Sequence, residues 1–92
     1  MAKEKTGMSL LEDCFYEAIN LRAKFIAVKI KMEGFSKPEI IINQTENFES
    51  KLNYYKKSYS NDLKLRSFSG IEIIDFCYGN TFCSILNAMI GE

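Results

Sequence analysis

Between Phe25 and Glu33 the chain changes its hydrophobic period from that of a helix to that of a strand. In KFIAVKIKME, Ile26, Val28, Ile30 and Met32 alternate with Ala27, Lys29, Lys31 and Glu33. A period of two is the signature of a strand buried on one side only. Such a strand needs an antiparallel neighbour and an apolar layer to lie against. The neighbour follows directly. GFSKP is a turn sequence in which Pro38 cannot donate to a central ladder, and EIIIN behind it is a short β-branched run. The pattern predicts a hairpin with strands over 25–33 and 39–43.

The covering layer is written on both sides of that hairpin. Upstream, Leu11, Phe15 and Ala18 form the centre of one helical face, flanked by Cys14, Leu21 and Ile19, with Asp13, Tyr16, Glu17 and Asn20 opposite. Ser9 and Glu12 have the spacing of a capping box, so the first helix is expected over 9–23. Downstream, Phe48, Leu52, Tyr55 and Tyr59 are spaced 4, 3 and 4, which predicts a helix over 46–59. Thr45 is its expected cap, with Glu46 and Glu49 early and Lys56 and Lys57 late, as the helix dipole favours.

The second half repeats the strand theme. LKLRSF-SG-IEIIDFCY reads as a second hairpin turning at Ser69-Gly70. A two-residue turn sets Leu65 opposite Ile74 and Lys64 opposite Asp75. Arg66 against Ile73 is a poor pair, so 63–68 reads as strand or loop, whereas 71–78 reads as strand. FCSILNAMI then sets Phe82, Ile85, Leu86, Met89 and Ile90 on one helical face, with a final strand as the competing reading. The expectation is an α+β fold: one small domain over 9–92, behind a flexible arm over 1–8. Its order is α-β-β-α-β-β-α, with an antiparallel sheet of three to four strands and helices packed on one face.

Composition narrows the function. The chain of 92 residues has 12 basic and 12 acidic residues, no histidine and three cysteines. A balanced charge argues against a dedicated nucleic-acid coat and tolerates self-association. Without histidine, Ser-His-Asp and Cys-His catalysis within the chain are excluded. Cys14, Cys77 and Cys83 form neither a disulfide framework nor a tight metal pair, so no cofactor or metal is expected. No signal peptide or membrane-length apolar run is visible. These features predict a reduced, cytoplasmic, non-enzymatic protein that meets no membrane.

Four clusters are candidates for contact. YYKKSY, Tyr54–Tyr59, has the ingredients of a nucleic-acid groove. On a helix, however, Tyr55 and Tyr59 turn inward and Lys56 and Lys57 diverge by about 100°. The surviving edge is Tyr54 with Lys57. Lys29 and Lys31 share one strand face and are candidates for an acidic partner. Asn43, Gln44, Thr45 and Asn47 sit at a helix start, where amides hold anions, although Glu46 among them repels one. Glu72 and Asp75 fall on opposite faces of a regular strand, and thiols in apolar surroundings are inert. From Thr81 to Ile90 no residue is charged. A helix carrying Phe82, Ile85, Leu86, Met89 and Ile90 inward and only small neutral groups outward is expected to be covered twice, the second time by another subunit.

Short, motif-free and rich in Ile, Lys and Asn, the chain resembles in character the small accessory proteins of phages and mobile elements in AT-rich genomes. Many of these act by binding. The resemblance implies a protein that blocks a host defence complex or sequesters a small signal; taken with the uncharged tail, the leading expectation is a homo-oligomeric binding protein that inhibits a host defence complex. The alternatives are a protein that sequesters a nucleotide-like small molecule and a structural assembly module.

Overall fold

A computed structural model describes residues 6–81. Helix α1 spans Gly7–Asn20, strand β1 Phe25–Met32 and strand β2 Glu39–Gln44. A single 3-10 turn, Thr45–Asn47, leads into helix α2, Phe48–Ser58, and strand β3 spans Ile71–Gly79. The three strands make one antiparallel sheet in the order β2-β1-β3. Both helices lie on one face of it. The fold is α+β, as the periodicities predict.

The core is the meeting of the expected stripes. Leu11, Phe15 and Ala18 from α1 and Phe48, Leu52 and Tyr55 from α2 are buried against Ile26, Val28 and Ile30 of β1 and Ile73 of β3. Phe15 sits at the centre, its ring edge-on to Phe48 and to Tyr55, each with centroids 6.1 Å away. Tyr59 extends the aromatic line from Tyr55 at 5.9 Å.

Both ends of α1 differ from expectation. The cap is Thr6, whose hydroxyl oxygen accepts from the Ser9 N–H at 3.1 Å, so the Ser9–Glu12 box does not form. The earlier start buries Met8, whose N–H also donates to the Asn61 carbonyl at 3.0 Å. Gly7 and Met8 therefore belong to the helix rather than to the arm expected over 1–8, and residues 1–5 lie outside the described residues. Glu12 instead pairs with Lys56 of α2 at 3.0 Å. At the other end the helix stops at Asn20, before the expected 23. The Arg22 N–H donates to Ile19 and the Ala23 N–H to Ala18, with Arg22 at φ 57. This is a Schellman closure with arginine where glycine is usual. Arg22→Gly is expected to stabilise the protein by about 0.5–1 kcal/mol, because the left-handed position costs a side chain about 1 kcal/mol or more. Urea unfolding measures this, and a loss of stability would show that the guanidinium contributes more than the strain removes.

The segment 63–68 is not a strand. It carries only the isolated bridges Tyr59–Leu65 and Lys64–Glu72. Lys64 thus meets Glu72 and not Asp75, three residues from the expected register. Leu63, buried and held at φ 63, turns the chain there. The final helix or strand expected over 81–90 lies outside the described residues.

Strand β3 contains a bulge. Lys29 pairs with Asp75 and Ile30 with Ile73, which leaves Ile74 without a partner on β1 and 45% exposed. The extra residue resets the alternation. Glu72 and Asp75, expected on opposite faces, therefore share the outer face, opposite Lys31 and Lys29. The rest of that face is apolar near β2: Ala27 is fully buried among Phe25, Ile40, Ile42 and Cys77.

Candidate interaction surface

The expected contact residues separate into different regions. Lys29 and Lys31 do share the outer sheet face, but the register sets Asp75 and Glu72 against them. That converts a basic patch into a row of alternating charge, which suits an acidic partner less well. Tyr54 is 48% exposed on the outside of α2, edge-on to Tyr55 and with Lys51 Nζ 5.5 Å from its ring centre. Lys57 is exposed on the same helix, while Lys56 is drawn to Glu12, so the two lysines do not converge.

The corner Asn43, Gln44, Thr45 and Asn47 is a joint of the fold. Asn43 is buried, donates to the Ile26 carbonyl at 3.4 Å and shares a side-chain hydrogen bond with Tyr55. Thr45 does not cap α2. Its hydroxyl lies 3.1 Å from the carbonyls of both Ala23 and Lys24, tying the 3-10 turn to the exit of α1. Asn47 takes the cap position without a side-chain bond, and Gln44 is exposed. The groove beside this corner is lined by Glu46, Glu49 and Arg22, so two carboxylates stand where an anion would have to enter. The expected interface of Phe82, Ile85, Leu86, Met89 and Ile90 lies outside the described residues.

The two described thiols, Cys14 and Cys77, are held protonated. Burial pushes Cys14 up to about 12, with Cys77, Glu17 and Asp75 nearby adding to it. Burial and then Asp75 raise Cys77. A protonated thiol is a poor nucleophile. Among the described residues no three acidic or cysteine side chains gather as a metal site, and no helix is long and apolar enough to cross a membrane.

A different surface emerges at the end of the sheet where β1 leaves and β3 enters. Phe35 is 67% exposed and Phe68 is 68% exposed. Their loops are joined directly: the Glu33 N–H donates to the Gly70 carbonyl at 2.7 Å. Gly70 holds φ +88, and a Cβ there would lie 2.6 Å from the Glu33 carboxylate and 2.9 Å from its Cβ. Only glycine permits that approach, and it fixes the two loops against each other. Glu33 and Gly70 also line an open groove of about 540 Å³, with Leu65 and Ile71 as apolar lining and Lys31, Lys64, Glu33 and Glu72 as charged walls; neither phenylalanine is part of its lining. Mixed walls of this kind suit peptide side chains of either sign better than a run of phosphates.

Periodicity does not reach either phenylalanine. The available signal is context: GFSKP and RSFSG each set a large apolar ring among turn formers, where no core can receive it. Comparison of this chain with protein-family models, with curated proteins and with solved structures yields no match.

Proposed function

We propose that the chain is a non-catalytic binding protein that docks on a protein partner through the loop end of its sheet. The observation that carries this is the two exposed phenylalanines, one on each of two loops joined by the Glu33–Gly70 hydrogen bond. Aromatic anchors dominate protein interfaces, and burying each ring contributes roughly 2 kcal/mol. Lys37 and Arg66, two residues from Phe35 and Phe68, supply the cationic rim. The role implied by the chain's character, a small accessory protein that obstructs a larger host assembly, needs this kind of surface and no active centre. The raised thiols and the lysine-matched carboxylates support the same reading.

The test compares the wild type with a Phe35→Ser, Phe68→Ser double variant in capture from a lysate of the cells that carry the protein. Both rings are exposed, so the double variant is expected to melt within a few degrees of the wild type. Proteins retained by the wild type and lost with the variant support the proposal. Equal capture by both overturns it.

A further inference from the structure

We propose that β2 is also an assembly edge, pairing antiparallel with β2 of a second copy so that two three-stranded sheets become one continuous sheet. In the order β2-β1-β3, one side of β2 has no strand along it among the described residues. An edge of this kind presents a row of backbone donors and acceptors to any extended chain. Proteins that keep such edges apart place lysine, proline or a bulge on them. Strand β2 has none of these: it reads EIIINQ, its proline (Pro38) falls just before it, and its register with β1 runs without a shift over all six residues. The bulge is on the other side of the sheet, in β3.

The edge complements itself. In a two-fold pairing, partners across the new seam must lie on the same face, so the axis passes through a residue. Centred on Ile41, the seam sets Ile40 of each copy opposite Ile42 of the other on the outer face, and Glu39 opposite Asn43. No charge meets a like charge. The outer apolar patch of Phe25, Ala27, Ile40, Ile42 and Cys77 runs up to this edge and becomes continuous across the axis. With 12 charges of each sign per chain, no net repulsion opposes the approach of two copies. The pairing leaves Phe35 and Phe68 outside the seam, so it stands independently of the proposed loop-end contact.

Sedimentation of the full chain across concentration, together with amide exchange, tests the assignment. The wild type is expected to dimerise, with β2 amides becoming more protected as concentration rises. Ile40→Glu is the disrupting variant: Lys29 stands opposite Ile40 within the chain, so the fold accommodates a carboxylate there, while the seam does not. It is expected to weaken association by about tenfold or more. A wild type that stays monomeric at millimolar concentration overturns the proposal. So does a dimer that Ile40→Glu leaves intact, which would place the contact on another surface. Protection of β2 that is independent of concentration also overturns it, because the edge would then be covered from within the chain. The exchange measurement decides the matter even if the variant fails to fold.

Discussion

Phe15→Ala is expected to cost about 3–5 kcal/mol, the range for emptying a buried phenylalanine site. That is most of the stability of a domain this small. The position is the meeting point of both helices and the sheet. Its ring is fully buried and faces Phe48 and Tyr55 edge-on, so truncation removes two aromatic contacts as well as the ring's own burial. The neighbours have little scope to collapse inward: Phe48 and Tyr55 are fixed on α2, and Ile26 and Val28 on the central strand. Urea unfolding followed by circular dichroism measures the loss. Leu10→Ala, an exposed position on the same helix, serves as the control and is expected to change stability by under about 0.5 kcal/mol. A Phe15→Ala protein within 1 kcal/mol of the wild type would show that the centre of the core lies elsewhere.

Alkali is expected to unfold the protein over a window set by the half-buried thiols Cys14 and Cys77 and the buried phenols Tyr55 and Tyr59. Burial raises Cys14 from 9.0 to about 12 and Tyr59 from 10.0 to about 12. It raises Tyr55 and Cys77 in the same direction. In the unfolded chain these groups release their protons near their ordinary values, whereas the fold keeps them protonated. Above about pH 9 the unfolded state therefore binds fewer protons than the native state, and stability falls as pH rises. The stabilisation is fully present below pH 9 and is lost progressively towards 12. A melting temperature more than about 10 °C lower at pH 11 than at pH 8 is expected, since a domain of this size shifts by about 4–8 °C per kcal/mol. Cys14→Ala is expected to flatten the part of the slope that begins near pH 9. A melting temperature that holds between pH 8 and 11 would contradict the burial of these groups.

Much of the architecture is legible because the strongest signals are global. The 4, 3, 4 spacing of Phe48, Leu52, Tyr55 and Tyr59 and the alternation from Ile26 to Met32 each extend over several turns or pairs, and both elements appear within a residue or two of their expected bounds. The hairpin of β1 and β2 follows from Pro38 and the isoleucine run. What is not legible rests on single residues whose role depends on something distant. Thr6 displaces Ser9 as the cap because Met8 finds a place in the core. Thr45 abandons α2 for two carbonyls at the end of α1. Arg22 and Leu63 adopt left-handed backbone that neither residue type signals, and their closures end α1 early and pull 63–68 out of the sheet. Among the candidate contact residues, Tyr54 and Lys57 are outside as expected. Asn43 is taken up by the fold, and Lys29 and Lys31 are matched by carboxylates that alternation alone places on different faces. Phe35 and Phe68 carry no periodic signal because both lie in loops.

Ile74 gives the chain one position where length is negotiable. Struck from β3, it leaves Ile-Glu-Ile-Asp-Phe-Cys-Tyr-Gly, eight residues to match the eight of β1. In that shorter text every survivor keeps the side it now occupies: Ile71, Ile73, Phe76 and Tyr78 towards the helices, Glu72, Asp75 and Cys77 away from them. Loss of Ile73 gives the same text, with Ile74 in its place, whereas loss of Asp75 would set Ile74 opposite Lys29 on the outer face. A relative of this protein aligned to it is thus expected to open a gap in β3 at the Ile73-Ile74 pair before anywhere else. The bulge is an optional letter in an otherwise regular strand.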